Sequence, residues 1–360
     1  MSRLATVVDG IEPVDGEWRQ KAGNHLNNLA IPRGSLGRLL DLAEQLAAIK
    51  RTLYPRVDRR VVVTMAGDHG VVREGVSAFP QEVTPQMVRN FVAGGAAINV
   101  LANVAGARVV VVDMGVAADL GDLVRGEKIL SCKIAPGTQN MAQGPAMTRG
   151  QAVRTLETGI GIVGQLVQEG LDLLATGDMG IGNTTPSSAI LAVFSGRPVR
   201  EVTGRGTGIS DEMLENKVRA IERALAVNEP SPHDPLDALA KVGGFEIGGI
   251  AGLILGAAYY KIPVVVDGFI SSAGALMAQA LAPASADYMI AAHRSLEYGH
   301  GLMLELLKLS PLLDLDLRLG EGTGAALAMK VVESAAEIIG KMLTFDDAGV
   351  SQSDSRAQLP

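Results

Sequence analysis

The stretch Gly177-Asp-Met-Gly-Ile-Gly-Asn-Thr-Thr-Pro186 joins glycines, small hydroxyls and one carboxylate directly ahead of a helical pattern. Glycines let backbone amides approach a ligand, and a helix start adds unpaired N–H groups and the positive end of its dipole. That combination suits a phosphate. A plain strand-to-helix turn fits the same residues, with Thr184 or Thr185 as cap and Pro186 in the first helical position. It is not a Walker loop, which ends Gly-Lys-Ser/Thr, and it lacks the full Gly-x-Gly-x-x-Gly dinucleotide pattern. Asp178 can bind ribose hydroxyls there, or stabilise the turn as an Asx residue. Lys217, in a helix starting near Asp211, can neutralise a phosphate or sit solvated on the surface.

A second chemical signal lies in Arg318-Leu-Gly-Glu-Gly-Thr-Gly324. Glu321 sits between glycines before an apolar helix, whose dipole favours the ionised form that accepts a proton. The same spacing fits a helix-capping acid. His69, His293 and His300 show no metal-ligand spacing with Cys or carboxylates, so hydrogen-bonding roles are expected and no metal or cofactor. Cys132 has no partner that would make it a nucleophile, and no Gly-x-Ser-x-Gly elbow follows a strand.

These residues need a frame. Runs rich in Val, Ile and Leu predict strands buried on both faces at Arg60–Met65, Arg108–Asp113, Leu171–Thr176, Ile262–Asp267 and Asp287–Ala291. Helical patterns alternate with them at 84–105, 148–169, 185–194, 211–227, 246–260 and 271–281. The alternation predicts an α/β fold, a doubly wound, mainly parallel Rossmann-like sheet. Each strand runs into a polar turn: Ala66-Gly-Asp-His-Gly70, Asp113-Met-Gly115, the turn after Thr176, Asp267-Gly-Phe269 and His293-Arg-Ser295. Ligands bind outside the carboxyl ends of such strands, so these turns on one rim predict a built site. Patterns at 16–29, 34–50 and after Gly324 predict a small helical domain from both chain ends. The expected division is 30–323 for the large domain, 1–29 plus 324–350 for the small one, and a polar tail at 351–360.

Composition narrows the function classes. Hydrophobic residues at 47% and charged residues at 20% fit a globular chain and exclude disorder. With aromatics at 3%, aliphatic side chains and Met must fill the core. The 43 glycines have no collagen-like period and point to places where backbone passes close to a ligand or another element. A net charge of −7 without a basic run argues against nucleic acid. The single cysteine excludes an internal disulfide. No signal peptide or membrane span is apparent, since acidic residues break the N-terminus and the apolar run at 247–260 is short. A cytoplasmic protein is expected.

The chain resembles the nicotinate-nucleotide–dimethylbenzimidazole phosphoribosyltransferases over nearly its whole length. The matching blocks, in family order, are Pro32–Arg38, Asp68–Val71, Gly144–Met147, Gly177–Pro186, Asn216-Lys217, Lys241–Phe245, Asp267–Phe269 and Arg318–Met329. The resemblance implies transfer of phosphoribose from nicotinate mononucleotide to a benzimidazole, in a homodimer. It implies Glu321 as catalytic base, and Asp178, Gly180, Ile181, Gly182, Asn183, Thr184, Lys217 and Ser295 as phosphoribose contacts. It further implies a base pocket from Phe79, Gln86, Met87, Asp267 and Leu319. The sequence departs from the family at two places: Asp178 stands where Glu is common, and Phe79 where some relatives have a small polar residue. A nucleotide- or base-binding sensor, or a nucleotide-cleaving enzyme on this scaffold, are the rival readings.

Overall fold

The computed structural model describes residues 2–206 and 208–351, so the expected tail lies outside it except for Ser351. Six strands form one parallel sheet: β1 (Arg60–Gly67), β2 (Ala107–Gly115), β3 (Leu130–Ser131), β4 (Leu173–Met179), β5 (Val264–Val266) and β6 (Met289–Ala291). Their order is β3-β2-β1-β4-β5-β6. Every residue of β1 is buried, as its largely apolar run, broken only by Arg60 and Thr64, requires of a central parallel strand. β1 pairs with β2 on one side and β4 on the other, from Arg60↔Ala107 and Arg60↔Leu173 onward. Strand order therefore reverses at β1, and the crevice at the carboxyl ends of β1 and β4 is where such sheets take ligands.

The helices, in chain order, begin with α1 (Arg3–Gly10), α2 (Gly16–Asn27), α3 (Arg38–Lys50), α4 (Val83–Ala93) and α5 (Ala97–Ala105). They continue with α6 (Gly121–Arg125), α7 (Arg149–Gln168), α8 (Thr184–Ser195), α9 (Asp211–Asn228) and α10 (Pro235–Val242). The last are α11 (Phe245–Tyr259), α12 (Phe269–Leu281), α13 (His300–Leu307), α14 (Thr323–Lys341) and α15 (Phe345–Ala348). The single helix expected over 84–105 is two, because Gly94 adopts φ 78° and ends α4. Pattern reading also missed β3, α1, α6, α10, α13 and α15, all of eight residues or fewer. α11 is buried from Phe245 to Ala258, which explains its apolar run. Among the described residues no helix is long and apolar enough to cross a membrane.

The chain divides into two compact units, one ending at Pro13 and resuming over Arg59–Met329, the other Val14–Asp58 plus the chain from Lys330 onward. These boundaries differ from the expected ones. Leu4 and Val7 of α1 belong to the sheet unit's core, which carries the first residues with it. In the smaller unit α3 packs along α2. There Ala30 N–H donates to Leu343 O at 3.0 Å and Phe345 N–H to Asn28 O at 2.9 Å, joining the two chain ends.

Candidate active site

A cavity of about 470 Å³ opens at the carboxyl ends of the strands, in the size range of small-molecule sites. One wall is the turn after β4, Asp178 to Thr184; another is Asp316 to Gly320; a third comes from Gly268–Ile270, His293, Ser295 and Glu297. Val76, Ser77 and Phe79 close it from the loop before α4.

The start of α8 is open toward this space. The expected cap by Thr184 or Thr185 is absent, and the N-cap Asn183 makes no side-chain cap bond. Asn183 Nδ2 instead donates to Asp178 Oδ2 at 2.9 Å, Thr184 Oγ1 accepts from Lys217 Nζ at 2.8 Å, and the buried Thr185 hydroxyl has no hydrogen-bond partner among the described residues. Pro186 is the third helical residue, not the first. Behind the turn, Ile181 N–H donates to Thr84 Oγ1 at 3.1 Å, tying the loop to α4. Lys217 is fully buried on α9 and also donates to Gly204 O at 3.0 Å. The result is a helix start without a side-chain cap, where Thr185 N–H bonds Gly182 O and Pro186 has no N–H, so the Thr184 N–H is left, with a buried ammonium one hydroxyl behind it; the charge suits an anion.

Glu321 is lodged over β1 and β4 by its backbone. Its N–H donates to Asp178 O at 3.2 Å, and its carbonyl accepts from Thr64 Oγ1 at 3.0 Å. A Cβ on Gly177 would lie 2.3 Å from that carbonyl oxygen, so β4 needs glycine beneath it. Glu321 takes φ 64°, a left-handed conformation that costs a non-glycine residue on the order of 1 kcal/mol. Its Oε2 accepts from Ile98 N–H at 3.1 Å, at the start of α5. Its other oxygen takes no hydrogen bond among the described residues, and the preceding Leu319 and Gly320 form cavity wall.

A family model described as phosphoribosyltransferase matches residues 11–350. The chain belongs to this phosphoribosyltransferase family. It is 61% identical over 352 residues to nicotinate-nucleotide–dimethylbenzimidazole phosphoribosyltransferase of Syntrophotalea carbinolica, covering 98% of this chain and 99% of that one. It is 56% identical to the enzyme of that name from Geobacter sulfurreducens, covering 98% and 100%. The crystal structure of CobT from Thermus thermophilus superimposes with a TM-score of 0.90 at 48% identity, over 94% of this chain and all of that one.

Of the residues that the phosphoribosyltransferase resemblance implied, Asp178, Gly180, Ile181, Gly182, Asn183, Thr184, Ser295, Phe79 and Leu319 line the cavity. Phe79 and Leu319 are 51% and 58% exposed, so both offer apolar surface to an incoming ring. Lys217 and Glu321 stand one residue behind the wall. Gln86 and Met87 do not line it: α4 turns Thr84 and Val88 inward and leaves Gln86 exposed. Asp267 does not line it either. Its carboxylate is taken by the first amides of α14, from Gly322 at 3.2 Å and Ala325 at 2.9 Å. Sequence reading placed His293 on the rim without a role at the site, and missed Thr84 and Glu297 as parts of it. His293 and Glu297 flank the Ser295 turn already placed on the rim, and that adjacency was the available signal.

Burial and neighbouring charge set the titrations of the groups in and around this cavity. Asp178 is pushed well above the carboxylate range by burial, then by Asp267 and other carboxylates, against the Asn183 bond. Burial raises Glu321 too; the Ile98 N–H opposes it and Asp267 adds to it. Asp267 is raised by burial, with His293 and backbone amides opposing. Lys217 is lowered to about 8 by burial, with Glu297 opposing. Beneath the turn His69 and Glu246 pair at 2.7 Å, both fully buried. Burial works against the His69 charge, but Glu246 and Asp68 together outweigh it and the ring is raised. Among the described residues no group of three or more His, Cys, Asp or Glu could hold a metal ion.

Proposed function

We propose that the cavity transfers phosphoribose from nicotinate mononucleotide to 5,6-dimethylbenzimidazole or a related base, with Glu321 as general base. The product is α-ribazole 5′-phosphate, the nucleotide of the lower ligand of cobalamin, with nicotinate released. The observation that carries this reading is the uncapped start of α8 beside buried Lys217, within one cavity of the rim that holds Glu321. The phosphate takes the Thr184 N–H at the start of α8 and the Lys217 charge relayed through Thr184. Asp178 and the turn glycines Gly180 and Gly182 face the ribose, and Ser295 the opposite side. The incoming ring lies on Phe79 and Leu319, with Gln86, Met87 and Asp267 outside direct contact.

The chemistry balances without a metal. The nicotinate nitrogen is cationic in the nucleotide, so it leaves as a neutral ring when its bond to C1′ breaks. One benzimidazole nitrogen attacks C1′ from the opposite face, and inversion turns a β nucleotide into an α ribotide. The other nitrogen gives its proton to the free oxygen of Glu321. A raised carboxyl is the better-matched base, since proton transfer is most effective when the pKa nears the working pH. Holding both substrates together supplies up to about 7–11 kcal/mol, and general-base help a further ~100- to 10,000-fold.

Glu321→Gln is expected to lower turnover at least ~100-fold while nicotinate mononucleotide still binds within a few-fold, read by single-turnover assay and calorimetry. Near-normal turnover removes Glu321 from the base role. A nucleotide-cleaving activity would instead release nicotinate without any benzimidazole. We also infer a cytoplasmic homodimer, tested by light scattering of the purified chain across concentration.

A further inference from the structure

We propose that Glu297 is a positioning residue that holds the positive charge of Lys217 on the phosphate side of the cavity. The inference rests on the reading of Lys217 as the phosphate-site cation and goes beyond it in naming the group that sustains it.

Both charged ends converge on one glycine. Lys217 Nζ donates to the Gly204 carbonyl at 3.0 Å, and a Cβ on Gly204 would stand 2.4 Å from Glu297 Oε2. Only a glycine at 204 lets the carboxylate come this close to the turn that Lys217 grips. Glu297 is 8% exposed, lines the cavity, and its Oε2 has no hydrogen-bond partner. Its backbone is fixed: its N–H donates to Ser295 Oγ at 3.3 Å and its carbonyl accepts from His300 N–H at 2.9 Å. A carboxylate oxygen buried without a hydrogen bond is stabilised by a cation, and an ammonium buried among neutral acceptors by an anion.

Among the described residues, the other acidic groups on the elements packed against α9 are already paired. α8, which packs on α9, carries no charged residue. α10 offers Asp237 and Lys241, which pair with each other at 2.9 Å. The turn at 70–74 offers Arg73 and Glu74, and Glu74 pairs with Arg223 at 3.3 Å. The turn at 199–201 offers Arg200 and Glu201, which pair with Glu215 and Arg197. Arg205 pairs with Asp211. Burial lowers Lys217 to about 8, and the Glu297 charge opposes that fall. The other ionisable groups on the cavity wall are Asp178, His293, Asp316 and Arg318.

The protonated state of Lys217 in the empty enzyme governs kcat/KM for the nucleotide, since that parameter reports groups of the free enzyme. The test measures kcat/KM for nicotinate mononucleotide from about pH 7 to 10, with dimethylbenzimidazole saturating, in wild type, E297Q, E297D, K217R and the double variant E297Q/K217R. Wild type should lose kcat/KM as pH rises past about 8. E297Q should lose it about one pH unit earlier, through KM more than kcat, whereas E297D keeps the wild-type limb. K217R, whose side chain stays charged, should lack the limb, and E297Q added to it should move nothing. A limb unmoved by E297Q, or shifted equally on the arginine background, overturns the role of Glu297. A limb that persists in K217R overturns the phosphate reading of Lys217 first, and the proposal with it.

Discussion

A glutamate wedged between two glycines carries two possible duties, and Glu321 illustrates how tertiary contacts sort them. The spacing Gly-Glu-Gly before α14 left capping and proton acceptance both open. Glu321 does accept a helix amide, but from Ile98 of α5, 223 residues away, and with one oxygen only. Asp267 takes the first amides of α14 instead. A contact between residues so far apart leaves no periodic trace in sequence, whereas the local glycines were plainly visible. The consequence is measurable. Burial and Asp267 hold Glu321 above the ordinary glutamate range, and the base works only when ionised. Activity must therefore disappear as pH falls through that raised value, sooner than an exposed glutamate would allow. The acid limb of kcat/KM should lie above the usual carboxylate range and vanish from the residual activity of E321Q. Since Asp178 and Asp267 are close, the limb reports the group of carboxyls rather than one. An acid limb at ordinary glutamate values, or one unchanged in E321Q, would contradict the buried-base account.

At the scale of elements, the 43 glycines turn out to serve two purposes. Some belong to the site, as the rim turns suggested. Others bring α7 and α11 into backbone contact beneath the sheet. A Cβ on Gly159 would lie 2.2 Å from Gly249 O, and one on Gly252 2.2 Å from Leu156 O. Gly161, on the same α7, faces only the far end of Arg3, at 2.9 Å. The two sites set opposing effects against each other. Replacing a mid-helix glycine by alanine gains up to about 1 kcal/mol of helix propensity. Forcing a methyl into a backbone carbonyl costs roughly 1–3 kcal/mol or more. At Gly159 the clash wins, and G159A should unfold several degrees lower by calorimetry. At Gly161 the flexible guanidinium moves aside, and G161A should be neutral or slightly stabilised. Equal effects of the two would show that helix spacing here is not set by glycine contact. Sequence alone gave the glycine count but not which faces meet, since pairing of α7 with α11 is a long-range choice.

For the whole molecule, strand–helix alternation was enough to anticipate the doubly wound sheet, because a parallel strand buried on both faces must be continuously apolar. What it missed were short elements and the unit boundaries, which depend on packing between distant segments. It also could not foresee how many ionisable groups the sheet unit buries, and these couple its stability to pH. His300 gives the clearest case. Ser295 N–H donates to Nδ1 at 2.8 Å, so the proton sits on Nε2, which lies 3.0 Å from Ser272 Oγ. Both ring nitrogens are used by the neutral form. Burial, with His293 and Arg294 adding, lowers the group from 6.5 to about 3. An unfolded His300 takes up a proton below pH 6.5, while the folded ring refuses it until about pH 3. Stability is therefore lost as pH falls across that window, by on the order of 1 kcal/mol per pH unit. Raised carboxyls such as Asp178 and Asp267 push the other way, since the folded chain holds their protons more tightly. Comparison with H300Q isolates the histidine, because every other group is common to both proteins. Urea midpoints at pH 7, 6 and 5 should converge, the variant starting less stable and closing the gap as acid penalises only the wild type. A gap that stays constant with pH would mean that His300 can be protonated in the folded chain.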